Sequence, residues 1–233
     1  MIEALTVVIP AYNESEGLRG SIEGMRDALR QLPVRYEIIV VDDGSTDDTG
    51  AILAATEGIR ALRHPTNLGY GAAIKQGIRH AAYDYILITD ADDSYPPSCA
   101  GALIATMNDH DMTIGARRLS QIANPVLWNL SKVGIQALLR LLLGAPIPDL
   151  NSGVRVFTRE LAEELAPILA DGFSFTTGLT IAALKAGKRV GFTPVEYRRR
   201  RGASKVRPVS FTRSFVRSLV RALRYRASPP AGR

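Results

Sequence analysis

Tyr-Ile-Leu-Ile-Thr-Asp-Ala-Asp-Asp, residues 85–93, passes from an apolar run to three carboxylates within one short stretch. Residues 85–89 have the β-rich, breaker-free composition of a buried strand. Asp90, Ala91 and Asp92 end it, and Pro96 and Pro97 bar its continuation. Two like charges so close together at a strand end repel each other. A divalent cation removes that cost, because Mg²⁺ and Mn²⁺ take oxygen ligands and can hold a diphosphate as well. Standing alone, the same Asp-x-Asp also fits a solvated acidic turn, so its neighbours must decide.

Working outward, residues 5–10 form a β-branched strand followed by Ala-Tyr-Asn-Glu-Ser and a helix to about Leu32. A second strand, 36–41, runs into Asp42-Asp43-Gly44-Ser45-Thr46-Asp47, a turn and helix start in one. A short helix, a strand near 59–63, a glycine-rich loop at 65–71 and a helix to about Ala82 then lead to residues 85–89. Strands alternating with helices at this spacing predict an α/β domain, a mostly parallel central sheet with helices on both faces. Ligands bind such sheets outside the carboxyl ends of the strands. Segments 10–14, 42–43 and 90–92 each follow a strand directly and are expected to converge there. Beyond them the pattern predicts a helix-rich stretch at 124–143, a loop at 146–153, strands at 154–157 and 189–197, and helices at 161–169 and 179–186.

The chain has 233 residues, enough for one large domain with a proper core. Its one cysteine, Cys99, excludes an internal disulfide, and His64, His80 and His110 lack zinc-ligand spacing. The N-terminus shows no signal-peptide layout, and no stretch reaches the ~18–20 apolar residues of a spanning helix. The expectation is therefore a cytoplasmic protein attached peripherally to the inner face of the membrane. Charge is sharply divided: residues 198–233 hold 12 Lys/Arg and no Asp/Glu, whereas residues 1–197 carry a net charge of −6. Within that basic end Phe211, Phe215, Leu219 and Leu223 recur every four residues, with Arg213, Arg217, Arg221 and Arg224 on another face. The periodicity fits an interfacial helix on an anionic membrane surface, and also a helix docked on the acidic body of the protein. The expected organisation is a catalytic domain over 1–207, a basic amphipathic helix over 208–226 and a disordered tail over 227–233. Nucleic acid is the remote alternative for the arginines, and no nucleic-acid partner is expected.

The ordered series Val-Ile-Pro-Ala-Tyr-Asn-Glu (8–14), Val-Asp-Asp-Gly-Ser-Thr-Asp (41–47), Asn-Leu-Gly-Tyr-Gly-Ala-Ala (67–73), Asp-Ala-Asp (90–92), Asn-Ser-Gly-Val-Arg-Val-Phe (151–157) and Gly-Ala-Ser-Lys (202–205) resembles the family 2 glycosyltransferases of GT-A fold. Within them it is most similar to the dolichyl- and polyprenyl-phosphate mannosyl- or glucosyltransferases. The resemblance implies a Rossmann-like three-layer α/β/α domain and an inverting, metal-dependent transfer from a GDP- or UDP-sugar. It assigns nucleotide-sugar contacts to Pro10, Tyr12, Glu14, Val41, Asp43, Asp90, Ala91 and Lys205, and a Mg²⁺ or Mn²⁺ ion to Asp90 and Asp92. Ser94 stands where the family often has glutamine and is the weaker candidate ligand. Arg199 joins Asp90 and Asp92 as a catalytic candidate.

On the acceptor side the resemblance names Arg117, Lys132, Ser152 and Arg155 as contacts for a polyprenyl phosphate. Many relatives that glycosylate hydroxyls carry an acidic base late in the domain; residues 173–179, Phe-Ser-Phe-Thr-Thr-Gly-Leu, contain none. A hydroxyl needs a base to lose its proton, whereas a phosphate oxygen is already ionised and attacks directly. A soluble or other non-lipid acceptor is the alternative. Gly69-x-Gly71 with Gly77 is not a dinucleotide fingerprint, since both spacing and crossover are wrong. Lys75 reads as a solvated lysine or a phosphate contact. Trp128, Leu130, Val133, Ile135 and residues 138–143 read as core or as membrane-facing.

Overall fold

Alternate side chains of β1 (Ala4–Ala11) enter two separate cores, Leu5, Val7 and Ile9 on one side and Val8 on the other. All of β1 beyond Ala4 is buried, as a strand covered on both faces must be. The computed structural model describes residues 2–117, 140, 143–144, 146–198 and 208–225, with side chains in the last segment from 214 onward. The elements following β1 are α1 (Leu18–Arg30), β2 (Arg35–Asp42), α2 (Thr49–Ala54), β3 (Arg60–Arg63), α3 (Tyr70–Arg79) and β4 (Tyr85–Ile88). Next come α4 (Cys99–Thr106), β5 (Met112–Arg117), β6 (Arg155–Thr158), α5 (Arg159–Leu165), α6 (Phe175–Lys185), β7 (Val190–Val195) and α7 (Pro208–Arg224).

The sheet order is β3-β2-β1-β4-β6-β5-β7. Strand pairs are parallel except where β6 runs against β4 and β5. The chain leaves β1 toward β2 and β3, then returns to place β4 on the other side of β1. That reversal is a topological switch point, and the crevice it opens lies at the carboxyl ends of β1 and β4. Because β6 is antiparallel, its first residue, Arg155, shares this edge with the last residue of β5, Arg117. One row of paired residues crosses the sheet through Val8, Ile88, Arg155, Ile114 and Phe192.

Helices cover each face by their apolar stripes. In α1, Leu18, Ile22, Met25 and Leu29 pack with Leu103 of α4 over Leu87 and Val156. On the other face α3, α5 and α6 cover Val8, Ile86, Ile88 and Phe157. Thr158 caps α5 by accepting from the Leu161 N–H at 3.2 Å, so this helix starts before the expected residue 161. The backbone of α3 lies against Val8 because Gly77 has no side chain.

Two elements escaped sequence reading, α4 and β5. The strand is short and has Gly115 at its centre, where a side chain would strike Val154 and Val195. The helix at the basic end also differs in one respect from an interfacial helix. Phe215, Leu219 and Leu223 pack against the core, Ala222 is buried, and the Ser214 and Ser218 hydroxyls meet Ser174 at 2.6 and 2.9 Å. The stripe recurring every four residues is therefore spent on the protein itself. Among the described residues no helix is long and apolar enough to cross a membrane. Trp128, Leu130, Val133 and Ile135 lie outside the described residues; Leu143 packs on the core.

Gly77→Val is expected to lower the free energy of unfolding by about 1–3 kcal/mol in urea titrations, through overpacking against Val8. Gly20→Ala, on α1 where an added methyl meets nothing within 4 Å, is expected to raise it by about 0.5–1 kcal/mol.

Candidate functional site

Three strand-end loops meet at the switch point, laced by hydrogen bonds rather than merely adjacent. Asp43 N–H donates to Ala11 O at 2.8 Å, Asn13 N–H to Ser45 Oγ at 2.9 Å and Glu14 N–H to Thr49 Oγ1 at 2.9 Å. In return the Asn13 side-chain Oδ1 accepts from Thr46 N–H at 2.8 Å, and the Asp47 carboxylate accepts from Ser15 and Thr49 N–H. Pro10, Tyr12, Glu14 and Val41 all stand on these two loops or on the strand ends beneath them; Val41 is buried, and Tyr12 and Glu14 are half-buried.

Asp43 is buried too, and its carboxylate has a demanding structural duty. It accepts from Leu68 and Gly69 N–H, each at 2.8 Å, and pairs with His64 Nδ1 at 2.6 Å. It thereby fastens the loop before α3 to the end of β2. Gly69, at φ 107°, makes the tight entry into α3 with its Cα against Asp171 O, a conformation costly for any other residue.

The third loop carries Asp90, Ala91 and Asp92. Ser21 Oγ donates to the Asp90 carbonyl at 3.1 Å, and Gly17 lets the start of α1 sit against the Ala91 and Asp92 backbone. Asp92 is buried and accepts from Ser94 N–H at 3.0 Å and from the Ser94 hydroxyl. Ser94, itself buried, is thus placed as a buttress for Asp92. The Asp90 carboxylate stands between Tyr70, whose hydroxyl donates to Oδ1 at 2.9 Å, and Gly153, where any Cβ would overlap it. Burial first, then the charge and hydrogen bond of Asp90, push the Tyr70 phenol well above its usual range. It is a neutral donor at physiological pH. The Tyr70 ring stacks on exposed Phe173 at 5.5 Å. Outside glycine, the left-handed residues among the described ones are Asn13 and Asp93, both in these loops, where backbone strain clusters.

Among the described residues no three His, Cys, Asp or Glu side chains form a metal cage. Asp90, half-buried, and Asp92, buried two residues on, nevertheless suit Mg²⁺ or Mn²⁺, which protein commonly holds by one or two carboxylates and completes with substrate phosphates. The donor set fits such an ion and is poor for zinc.

Arg117 and Asp149 form an ion pair at the same sheet edge. The carboxylate accepts Nε at 2.6 Å, Nη2 at 2.9 Å and the Arg117 N–H at 3.2 Å. Burial alone would lower the guanidinium, but Asp149 and the neighbouring tyrosines carry it above the ordinary value. Arg117 also lies over the Tyr197 ring at 5.1 Å, Tyr197 meets Tyr95 edge-on at 5.2 Å, and Tyr95 Oη accepts the Gly153 N–H at 2.8 Å. Arg198 N–H, next along, donates to Ser94 O at 2.8 Å.

Of the expected acceptor contacts, Arg117, Ser152 and Arg155 do come together at this edge. Ser152 and Arg155, however, lie beneath its surface with no exposure. Arg155 donates to Ser152 O at 2.5 Å and to Thr176 O and Thr180 Oγ1 at 3.0 Å. Burial lowers its guanidinium to about 10, against the raising effect of Tyr70, Tyr95, Asp149 and Asp90. It remains a cation, a buried counter-charge rather than a surface contact. Lys132, Arg199 and Lys205 lie outside the described residues. Lys75 is neither solvated nor aimed at the crevice, donating to Asp171 at 2.8 Å and Leu169 O at 2.6 Å.

Sequence reading missed Tyr70, Tyr95, Asp149 and Tyr197. Asp149 stood two residues before the quoted motif 151–157 and Tyr70 inside the quoted motif 67–73, but neither was given a role, and Tyr95 and Tyr197 carried no spacing signal.

The family model described as glycosyl transferase family 2 matches residues 6–166. The chain is 30% identical over 213 residues to an undecaprenyl-phosphate mannosyltransferase of Micrococcus luteus, covering 85% of this chain and 86% of that one. It is 28% identical to a dolichyl-phosphate hexose transferase of Haloferax volcanii, covering 93% and 92%. Among solved structures, glucosyl-3-phosphoglycerate synthase of Mycobacterium tuberculosis with Mn²⁺, UDP and glucosyl-3-phosphoglycerate superposes with TM-score 0.76 at 23% identity, covering 99% of this chain and 82% of that one. That likeness establishes the GT-A fold.

A double-mutant cycle of Tyr70→Phe and Asp90→Asn in urea unfolding is expected to give a coupling energy of about 1–2 kcal/mol, as for a hydrogen bond to a charged group. Partial burial works to raise the Asp47 carboxyl, but hydrogen bonds from Thr49 and Ser15 outweigh it and hold it at about 2. Its stabilising contribution is complete above the ordinary carboxylate value and lost as pH falls from about 4 through about 2. Asp47→Asn should flatten that part of the acid-unfolding curve, modestly because the side chain is exposed.

Proposed function

The chain belongs to glycosyl transferase family 2 and is a glycosyltransferase, and on that premise we propose that it moves a hexose, mannose or glucose, from a GDP- or UDP-sugar to a polyprenyl phosphate. The observation that carries the reading is the meeting of three strand-end loops at one sheet edge, where Asp90 and Asp92 stand and where Tyr95 lies within electrostatic reach of both Asp90 and Arg117. The names of the relatives from Micrococcus luteus and Haloferax volcanii support the same acceptor class.

The donor's nucleoside lies along the β1 and β2 loops, where Tyr12 and Glu14 stand at the crevice and Pro10, Val41 and Asp43 shape its floor. Glu14 suits ribose hydroxyls because a carboxylate accepts without competing as a donor. Asp90 and Asp92 would hold a Mg²⁺ or Mn²⁺ ion, which would supply positive charge to offset the diphosphate. Tyr70 and Ser94 fix the two carboxylates, and Ala91 keeps the turn between them small. An oxygen of the acceptor phosphate attacks the anomeric carbon from the face opposite the diphosphate. The new bond forms as the bond to the leaving nucleoside diphosphate breaks, so configuration inverts.

No proton need be removed from an ionised phosphate, which agrees with the lack of a carboxylate in residues 173–179. The nearest one, Asp171, is paired with Lys75 at 2.8 Å. Arg117, bidentate to Asp149, offers its cation to the acceptor phosphate by partial exchange of partners. Arg199, Lys132 and Lys205 supply further positive charge in this reading, while Ser152 and Arg155 support it from below. Because the acceptor is a membrane lipid, the enzyme works at a membrane surface.

A thermal-shift panel of nucleoside diphosphates with Mn²⁺ is expected to show stabilisation by GDP or UDP that Asp92→Ala abolishes. With the matching labelled donor, radioactivity should enter the organic phase only when polyprenyl phosphate is present. Label remaining aqueous on phosphoglyceric acid would place the acceptor among soluble phosphates instead. Stabilisation by no nucleoside diphosphate would end the nucleotide-sugar reading.

A further inference from the structure

With its regularly spaced apolar stripe packed on the core, α7 presents a different face outward. Four large apolar side chains stand exposed among the described residues, and two of them, Val216 at 50% and Val220 at 39%, lie on this helix. At 100° per residue the outward order is Val216, Val220, Arg224, Arg217, Arg221, and all three arginines are exposed. Aliphatic surface therefore borders a cationic strip along a single helix, and residues 198–233 contain no acid to oppose it.

We propose that this outward face of α7 seats on an anionic lipid leaflet. The inference rests on the lipid-phosphate acceptor reading and assigns the surface that brings the enzyme to that lipid. Guanidinium groups pair with lipid phosphates, while short aliphatic side chains beside them enter the boundary between headgroup and acyl chain. A nucleic acid would satisfy the arginines but leave Val216 and Val220 against solvent or phosphate, and no aromatic ring on this face offers a base a stacking partner. Charge complementarity and exposed aliphatic surface thus point to the same occupant.

The face is joined to the catalytic edge. Ser214 and Ser218 of α7 hold Ser174 at 2.6 and 2.9 Å. Ser174 follows Phe173, the exposed ring stacked on Tyr70 at 5.5 Å, and Tyr70 holds Asp90 at 2.9 Å. A leaflet lying along α7 is thereby linked through three consecutive contacts to the rim where a lipid phosphate would enter. The helix need not leave the protein to bind, because its inward face is already occupied.

The test is co-sedimentation of the full chain with phosphatidylglycerol-containing vesicles, with pure phosphatidylcholine vesicles as the reference. The wild type should bind the anionic vesicles, more weakly as salt rises but still measurably at high salt. Each arginine near an anionic leaflet is worth about fivefold in binding, so Arg217→Gln/Arg221→Gln/Arg224→Gln should lose on the order of a hundredfold. Val216→Ser/Val220→Ser should weaken binding in high salt, where the apolar term remains. Both variants should retain wild-type melting temperature and wild-type turnover of a short-chain, water-soluble polyprenyl phosphate. That turnover reports on the acceptor reading separately: its absence in the wild type sinks that reading, whatever the vesicles show. Equal sedimentation of wild type and triple variant, failure of the wild type to sediment, or displacement from vesicles by duplex RNA would each overturn the α7 proposal.

Discussion

Carboxylates at strand ends, crowded where water is scarce, are the constraint on which the rest of this structure depends. Asp42, Asp43, Asp92 and Asp149 are each no more than 5% exposed, and Asp90 is half-buried beside them. A buried charge without directed partners costs several kcal/mol, so the surroundings must supply donors. Asp42 takes Ser45 N–H at 2.8 Å and lies 3.4 Å from Arg63; Asp43 takes His64 and two backbone N–H groups; Asp149 takes the fork of Arg117. Asp92 leans on Ser94 and Asp90 on Tyr70. Each of these donors comes from a different loop from the one a simple turn would use, or from a residue two or three positions on. Satisfying the carboxylates is what ties the loops into one edge.

The same constraint gives the carboxylates partners of different kinds. Asp43 and Asp149 each meet at least three donors, which leaves their positions rigid. The hydroxyls of Tyr70 and Ser94 are among the groups that orient Asp90 and Asp92. Arg155 completes the balance from beneath. Its place at the start of β6, between Ile88 of β4 and Ile114 of β5, puts a buried cation within electrostatic reach of both Asp90 and Asp149.

Much of this was legible in the sequence where local pattern and global role coincide. Strands β1, β2 and β4 announce themselves by β-branched runs, and the acidic residues directly after them identify the edge because side-chain placement at a strand end follows from connectivity alone. The wall built on Arg117 and Arg155 was less legible. Arg117 and Arg155 were named for a ligand, but whether a guanidinium points outward or into the core depends on strand direction and on carbonyl groups of α6, neither of which leaves a local signal. Strand β5 went unread because Gly115 interrupts its pattern, and the glycine is required by Val154 and Val195 on neighbouring strands. Tyr70 was unreadable for a similar reason: its role comes from a hydrogen bond across the sheet edge to a residue twenty positions away.

Helix α7 shows why amphipathic periodicity alone does not assign a partner. A stripe every four residues states only that one face leaves water, and either a bilayer or a protein core answers that need. Here the core answers it, because α6 is buried almost all round and one side of it would otherwise face solvent. The small residues Ser174, Ser214, Ser218 and Ala222 allow the two helices to approach, and their hydroxyl groups satisfy one another within the seam. What then distinguishes α7 from an ordinary covering helix is its reverse side. A covering helix normally turns mixed charges to water, whereas this one turns arginines and valines with no acidic residue among them. The periodic face holds the helix to the enzyme, and the aperiodic face carries the information about what lies outside.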